Sequence, residues 1–197
     1  MKDINATVIV DLKGSEEEIF NRLQKDARWG VKKAQKSGLI VEESRDFEIF
    51  YPIYEKMMKE LGVKAETIEH VRENSSVLFL CKKDNKVIGG AVLHIKDSIP
   101  KLTRAASLIE YRPMQPNNLL YWHCIMWSKK RGFEKLDLGG WQINARGQIE
   151  GVNKFKERWG EVVYFSKGYP LHKAIGRKLI RNVGIFRWLN DKIKGRR

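Results

Sequence analysis

A short basic segment near the end of the sequence carries the residues best suited to chemistry. Between Gly151 and Gly160 it reads GVNKFKERWG, which places an aromatic ring, Phe155, directly before an ammonium group, Lys156. A cation held where an acyl carbonyl is attacked stabilises the oxyanion that forms, and such a donor is worth about 3–4 kcal/mol. The ring can stack on a nucleic-acid base or shield an ester from water. The alternative is a core phenylalanine beside a solvated lysine.

An acidic strand end, LDLGGW at residues 136–141, carries the second candidate group. We expect Asp137 at the carboxyl edge of a short buried strand, where open α/β sheets bind ligands. Its carboxylate can accept the proton of an attacking amine or orient that amine, or it can bind a backbone N–H of the following loop. Gly139 and Gly140 predict a tight turn or a close approach to substrate. Lys156 and Asp137 are thus the candidate catalytic residues.

Three further side chains are candidates for substrate binding, alongside Phe155 and the two glycines. Trp141 and Tyr164 can line a pocket, although large aromatic residues more often belong to a core. Arg28, together with Lys32 and Lys33, can contact phosphate or can form an ordinary solvated helix face.

The composition favours one folded domain with an anionic partner. The chain has 197 residues, 42% of them hydrophobic, and a formal net charge of +14. This length supports one core rather than two full domains, so we expect a single domain over residues 1–168. The charge favours nucleic acid, an anionic membrane surface or a phosphorylated substrate. It is concentrated after residue 166, where ten basic residues accompany one acid.

The basic end of the chain, residues 169–197, has the pattern of an amphipathic helix. Its apolar residues recur along one side: Ile175, Leu179, Val183, Phe186, Leu189 and Ile193. Basic residues fill the other side. Residues 171–197 can therefore lie on an anionic membrane or on tRNA, or can simply cap the sheet.

The cysteines and histidines form no recognisable site. Cys81 and Cys124 are isolated, which predicts reduced core residues in a cytoplasmic protein. The histidines are scattered without the spacing of metal ligands: His70, His94, His123 and His172. No apolar run is long enough for a signal peptide or a membrane span. We expect no metal and a cytoplasmic location, peripheral at the inner membrane face if the basic end binds lipid.

The first half of the chain predicts strands and helices in alternation. The expected elements are a strand at 6–12, a helix from Ser15 to Ser37, a strand at 39–43, and helices at 50–61 and 67–73. Ser15 and Glu18 form a capping-box pattern at the start of the first helix. Pro52 is acceptable in the second helix only within its first turn.

The second half predicts a hairpin and then the elements that carry the candidate site. We expect strands at 77–83, 86–95 and 102–109, a helix from Asn117 or Asn118 to Lys130, a strand at 136–138, the short helix of GVNKFKERWG, and a strand within EVVYFSKG. Asp84 and Asn85 form the hairpin turn, and Gly89-Gly90 predicts a bulge or a close approach. The fold class is α/β, an α+β-like mixed sheet covered on both faces, compatible with the plan of GNAT acyltransferases.

Three stretches match one family pattern in the same order along the chain. They are RWGVKKAQKSGLIVEE (28–43), NLLYWHCIMWSKKRGFEKLDLGG (118–140) and GVNKFKERWG (151–160). The first is similar to an Arg, basic pair, Ala and Ser-Gly helix end, the second to a helix before an Asp-Leu-Gly-Gly strand end, and the third to a Phe-Lys pair between glycines. Together they resemble the FemABX aminoacyl transferases. The resemblance covers the element order of residues 6–168.

This resemblance implies a reaction, a donor and a fold. The reaction is transfer of an amino acid from aminoacyl-tRNA to an amine, usually on a peptidoglycan precursor peptide of the cell wall. Phe155 and Lys156 match the family's pair, whose lysine is placed against the carbonyl of the aminoacyl ester. Aminoacyl-tRNA is then the donor and no cofactor is expected. The implied fold is that of the GNAT-like acyl-CoA N-acyltransferases, with the basic C-terminal helix appended.

The sequence also departs from the family, and two other functions stay open. Family members acting on wall precursors usually carry two such domains, so a homodimer is one way to rebuild the acceptor cleft here. A coenzyme-A-dependent N-acyltransferase, using acetyl-CoA, binds pyrophosphate at a glycine-rich turn before the central helix. That turn here, EYRPMQPNNLL, has two prolines and no glycine. A non-catalytic tRNA- or membrane-binding module would keep the charge without needing Lys156.

Overall fold

The computed structural model describes residues 4–96 and 99–166. Its strands are β1 (Ile4–Asp11), β2 (Ile40–Ser44), β3 (Val77–Lys83), β4 (Lys86–Lys96), β5 (Ile99–Ser107), β6 (Lys135–Trp141) and β7 (Glu161–Ser166). Its helices are α1 (Glu16–Arg22), α2 (Lys25–Lys36), α3 (Phe47–Glu60), α4 (Ile68–Glu73), α5 (Pro116–Lys130) and α6 (Gly147–Glu157), with a 3-10 helix at Ile109–Met114. The predicted amphipathic helix at 169–197 lies outside the described residues.

The strands form one seven-stranded sheet in the order β2-β3-β4-β5-β6-β1-β7. Its neighbouring strands are antiparallel except β5 and β6, which run parallel and pair only at Lys101 and Asp137. The other neighbours in the described part of the sheet pair at five or more positions. The predicted mixed sheet is confirmed. Its strands β5 and β6 pair over the shortest stretch of any two neighbours in the described sheet.

The helices cover both faces of the sheet and bury two main apolar clusters. The larger cluster lies under α1, α2 and α5, and the smaller one lies under α3 and α4. Alternation along β6 directs Leu136 and Leu138 into the larger cluster, because successive side chains of a strand point to opposite faces. Asp137 therefore points away from that cluster.

The single helix expected from Ser15 to Ser37 is wrong, because the chain breaks it at Leu23 and Gln24. Both residues have extended backbone angles, so α1 ends at Arg22 and α2 begins at Lys25. The Gln24 N–H donates to the Arg158 carbonyl at 3.0 Å instead of continuing the helix. The Ser15 capping box at the start of α1 is present as predicted.

Helix α3 begins earlier than its sequence pattern predicts. Asp46 caps it by accepting a hydrogen bond from the Ile49 N–H, so the helix starts at Phe47 instead of Phe50. Pro52 is then the sixth helical residue, beyond the first turn to which the sequence argument confined it. Because proline has no backbone N–H, the helix lacks the hydrogen bond that this position would otherwise donate to the Glu48 carbonyl.

The hairpin between β3 and β4 follows the predicted turn and glycine pattern. Asp84 and Asn85 both have positive φ, as a two-residue hairpin turn requires. The register shifts at the pairing of Cys81 with Gly89, which marks the predicted bulge. A Cβ at Gly90 would lie 2.6 Å from the Phe50 ring, so the close approach is also present.

Candidate active site

A cleft of about 1160 Å³ opens where β5 and β6 part. Elements from both sides of the sheet line it: α3, the loop after α3, β5, the 3-10 helix, the first turns of α5, and α6. Its wall carries an ion pair between the buried Arg104 and the exposed Glu66, in which Arg104 donates through Nε at 2.8 Å and through Nη2 at 2.6 Å. Lys156, Phe155 and Tyr121 line the end of the cleft formed by α5 and α6.

Lys156 reaches the cleft from the last turn of α6. Its Nζ donates to the Gly140 carbonyl at 2.9 Å, which fixes the ammonium at the end of β6. Burial lowers the pKa of Lys156 to about 8, with Asp137 acting to raise it and Lys101 acting to lower it further. Because an ammonium has three N–H donors, the bond to Gly140 leaves two for a group bound in the cleft.

Asp137 forms the buried anionic centre of this site and is 2% exposed. Its Oδ1 accepts hydrogen bonds from the Thr7 hydroxyl and from the Gly139 N–H, the latter at 2.7 Å. Its Oδ2 lies 3.9 Å from Lys101 Nζ. The bond to a backbone N–H anticipated for Asp137 is therefore present, and the same carboxylate also carries the negative charge opposite two lysines.

A bulge in β6 places these groups together. Three residues of β1, from Thr7 to Ile9, lie opposite four residues of β6, from Gly140 to Asp137. Gly139 takes up the extra length with a φ of +78°. A bulge of this kind re-aims neighbouring side chains. A Cβ at Gly139 would lie 2.8 Å from the Leu102 carbonyl oxygen, so glycine lets β6 approach β5 here, and the close approach to substrate predicted for Gly139 and Gly140 stays a prediction.

Replacing Gly139 by alanine is expected to destabilise the protein while Gly140→Ala does not. The left-handed backbone costs a non-glycine residue about 1–2 kcal/mol, and the new methyl would meet the Leu102 carbonyl oxygen at 2.8 Å. A Cβ at Gly140 meets nothing within 4 Å. Urea unfolding of both variants measures the difference. Equal free energies of unfolding would contradict a structural requirement for glycine at position 139.

Phe155 belongs partly to the cleft and partly to an aromatic cluster. Its ring meets Tyr121 edge-to-face, with 5.0 Å between centroids, and lies 6.1 Å from Trp159. Burial raises the pKa of the Tyr121 hydroxyl. The ring thus packs in the aromatic cluster and also lines the cleft, and its contact with substrate stays a prediction.

Trp141 and Tyr164 lie beside the candidate site. Trp141 lines a second concavity of about 540 Å³ with Gly140, on the other side of the Lys156–Gly140 bond. Its indole N–H donates to Glu157 Oε1 at 2.6 Å, and its ring meets Tyr164 edge-to-face at 5.9 Å. Burial raises the pKa of Tyr164. Val152 lines both concavities, so α6 and the end of β6 separate them.

Arg28 is engaged in the local structure around the helix break. Its Nη1 donates to the Leu23 carbonyl and, at 3.1 Å, to the Asn21 carbonyl. These are carbonyl groups at the end of α1 that lack partners within that helix. The arginine therefore stabilises the junction of α1 and α2 and is not brought to the cleft.

Sequence reasoning missed the residues that complete the site. Thr7 and Lys101 contact Asp137 from the two neighbouring strands, and Tyr121 and Asn117 line the cleft from α5. Thr7 sits in an ordinary strand pattern and Lys101 in an ordinary charged position. Only the pairing of β6 between β1 and β5 brings them to Asp137, and that strand order has no local signal in the sequence.

The start of α5 offers few donors for a phosphate group. Pro116, its first residue, has no N–H. The N–H groups of Asn118 and Leu119 both approach the Gln115 carbonyl, at 3.1 and 3.4 Å. Of the first four positions, only Asn117 keeps an N–H without a backbone partner. This arrangement does not fit a pyrophosphate cradle, which requires several convergent backbone donors.

Comparison with known proteins identifies the fold. The sequence profile described as an acetyltransferase (GNAT) domain matches residues 66–157, slightly less than half of the chain. None of the curated proteins matches the sequence. The crystal structure of FemX is similar over 81% of this chain and 59% of its own, with a TM-score of 0.72 and 17% sequence identity.

Two further structures share this architecture. One is the C-terminal domain of a protein described as a lysylphosphatidylglycerol synthetase from Agrobacterium fabrum, with a TM-score of 0.60 and 12% identity, covering 82% of this chain and 58% of that one. The other is L-PGS from Bacillus licheniformis, with a TM-score of 0.56 and 13% identity, covering 91% and 67%. This chain spans less than two thirds of FemX and of the Agrobacterium domain. At these identities the likeness establishes a FemX-type, GNAT-like fold, as the sequence predicted.

Proposed function

We propose that the chain is an acyltransferase that moves an amino acid from aminoacyl-tRNA to an amine. The lone pair of the amine attacks the ester carbonyl, a C–N bond forms, and the C–O bond to the terminal ribose breaks. The proton lost by the amine leaves with the ribose hydroxyl or passes to solvent. The observation that carries the proposal is Lys156, whose ammonium lines the cleft with two donors left over from its bond to Gly140.

Lys156 is suited to stabilising the charge that develops on the ester oxygen. Its ammonium is fixed by the Gly140 carbonyl and partly removed from water. Both conditions strengthen a hydrogen bond to an oxyanion, because the donor needs no reorganisation and is poorly screened. In this proposal Lys156 is the catalytic residue, and Phe155 beside it shields the ester or stacks on the terminal base.

Asp137 acts through Lys156 in this proposal. Both hydrogen bonds to its Oδ1 come from the protein itself, from Thr7 and Gly139, and the side chain is buried. A carboxylate so enclosed is poorly placed to take a proton from an incoming amine. Its negative charge instead favours the charged form of Lys156, since Asp137 acts to raise the pKa of that lysine. Asp137 is therefore assigned as a positioning residue.

The start of α5 favours an aminoacyl ester over acetyl-CoA as donor. Coenzyme A carries a pyrophosphate that needs convergent N–H groups, and α5 begins with Pro116 and two N–H groups directed at Gln115. A tRNA donor makes no such demand at this helix end, because its phosphates are spread along the strand. The amine acceptor is proposed to belong to a cell-wall precursor peptide. The name of the Agrobacterium relative points to a lipid acceptor class as the alternative.

A competition between donors tests the proposal. The protein is incubated with a mixture of radiolabelled aminoacyl-tRNAs, labelled acetyl-CoA, and acceptors that include a wall-precursor peptide and phosphatidylglycerol vesicles. We expect label to leave tRNA and appear on the peptide amine, and a parallel reaction without protein measures spontaneous hydrolysis of the ester. Acetyl transfer with intact aminoacyl-tRNA would overturn the donor assignment. Transfer to lipid would keep the donor and replace the acceptor.

A further inference from the structure

Helix α2 exposes a tryptophan on its outer surface. The Trp29 side chain is 57% exposed, which sets it apart from the buried face of the same helix, formed by Ala27, Gly30, Val31 and Ala34. Large apolar side chains at the surface mark contact sites when other features converge on them. The packing of the opposite face holds the ring on a rigid element.

Lysines surround Trp29 on the same face. Lys25 lies four residues before it, and Lys33 and Lys36 lie four and seven residues after it, so all three share its side of the helix. All are exposed, and none forms an ion pair within residues 4–96 and 99–166. The one acid of α2, Asp26, pairs with Arg158 at 3.6 Å. We call Lys25, Trp29, Lys33 and Lys36 the α2 face.

Helix α2 packs against two elements that form the cleft. A Cβ at Gly30, next to Trp29, would be 2.4 Å from the Asn118 side chain, so α2 and the first turn of α5 are in close contact. Helix α2 also contacts the 3-10 helix, whose Ile109 and Arg112 line the cleft. The α2 face thus lies on the outer side of a helix whose buried side packs beside the cleft.

We propose that the α2 face binds single-stranded RNA, with Trp29 stacking on one base and the lysines contacting phosphates. An aromatic ring among cations matches the alternating bases and phosphates of an unpaired strand. The face is about 16 Å long, from the rise of 1.5 Å per helical residue, which suits a few nucleotides. The proposal rests on the proposed function for the source of the strand, the unpaired end of the aminoacyl-tRNA donor.

An anionic membrane fits the same face less well. Binding in a bilayer interface requires a broad apolar surface in addition to charge. Trp29 is the one large apolar side chain of α1 and α2 that is strongly exposed in the described structure. A single ring is enough to stack on a base but buries too little area to anchor a helix in lipid. RNA is therefore the partner that the composition of this face favours.

The first test removes the ring. Binding of a fluorescein-labelled single-stranded 12-nucleotide RNA ending in CCA is followed by anisotropy with the whole chain. Trp29→Ala should weaken binding about tenfold, since stacking of this kind is lost, while Trp29→Phe should keep most of the affinity. Unchanged binding by Trp29→Ala, with both variants folded by circular dichroism, would remove the ring from the interface.

The second test compares the loss of two lysines from the α2 face with the loss of two lysines from another helix. A Lys33→Ala/Lys36→Ala variant should flatten the plot of log affinity against log salt by about 1.4, or about 0.7 per phosphate contact on a single strand. The control is Lys56→Ala/Lys59→Ala, which removes two exposed lysines of α3. Equal losses in both variants would mean that binding follows net charge and that the α2 face has no special part.

A third arm separates this proposal from the proposed function and from a membrane role. Lys154→Ala, which removes an exposed lysine of α6 outside the α2 face, should bind the RNA as tightly as the unaltered chain. If no donor transfers any group but RNA binding still depends on Trp29, the catalytic proposal fails and the docking surface stands. Binding of phosphatidylglycerol vesicles that depends on Trp29, without Trp29-dependent RNA binding, would overturn the RNA assignment.

Discussion

Replacing Lys156 by alanine is expected to lower the rate of transfer about 100- to 1000-fold with little change in the affinity for donor. The ammonium is the donor fixed at the cleft by the Gly140 carbonyl, and its partial burial makes it effective toward an oxyanion. An interaction made mainly in the transition state lowers kcat and kcat/KM together. Single-turnover transfer from a labelled aminoacyl-tRNA, with saturating acceptor, measures the loss.

Lys154 provides the matched control for this substitution. It lies two residues earlier on α6, is exposed, and pairs with Glu150 at 2.5 Å. Lys154→Ala removes the same charge from the same helix, and an exposed pair of this kind contributes little to stability. We expect Lys154→Ala to transfer at the unaltered rate. If both variants lose activity equally, the loss comes from the total charge of α6, and this result would contradict a catalytic role for Lys156.

The parts of the fold that sequence predicted well are those fixed by local chemistry. Asp84-Asn85 can form a tight hairpin turn because both residues tolerate positive φ, and the structure shows it. The break between α1 and α2 was missed because it depends on partners far along the chain. The Arg158 carbonyl, more than a hundred residues away, takes the Gln24 N–H that a continuous helix would have used.

The same difference between local patterns and long-range contacts explains which residues of the candidate site the sequence revealed. Phe155-Lys156 and the end of β6 are local patterns, and the structure brings Lys156, Asp137 and Gly139 within reach of one another. Thr7 and Lys101 join them only through strand pairing, so no spacing along the sequence could reveal them. Arg28 looked like a phosphate contact in the sequence because its basic neighbours are visible there, whereas the carbonyl groups that it binds are not.

The site therefore holds one buried carboxylate, Asp137, near two lysines, Lys101 and Lys156. This arrangement influences the pH at which Lys156 loses its charge. Asp137 acts to raise the pKa of Lys156, Lys101 acts to lower it, and burial brings it to about 8. A lysine with its ordinary pKa would stay charged at any physiological pH. Here the ammonium is lost as pH rises through about 8, so a rate that needs the ammonium must fall over the same range.

Asp137→Asn is expected to lower transfer about 10- to 100-fold and to move this fall in rate to lower pH. Asparagine keeps an oxygen for Thr7 and for the Gly139 N–H but removes the negative charge, and interactions with a charged group are worth about 1.5–3 kcal/mol. Without that charge the pKa of Lys156 drops, so the ammonium is lost at a lower pH. The measurement is the rate of transfer between pH 6 and 9.5 at saturating acceptor.

Two variants separate the charge of Asp137 from its hydrogen bonds. Thr7→Val removes the hydroxyl that donates to Asp137 but leaves the carboxylate, so the rate can change while the falling limb stays near pH 8. Lys101→Gln removes the cation that lowers the pKa of Lys156, so the limb should move to higher pH. Opposite shifts of the limb in Asp137→Asn and Lys101→Gln are the result expected if Lys156, which both side chains influence, is the group that titrates. A limb that stays in place in both variants would show that Lys156 does not set the pH dependence, and that its charge is not what the reaction needs.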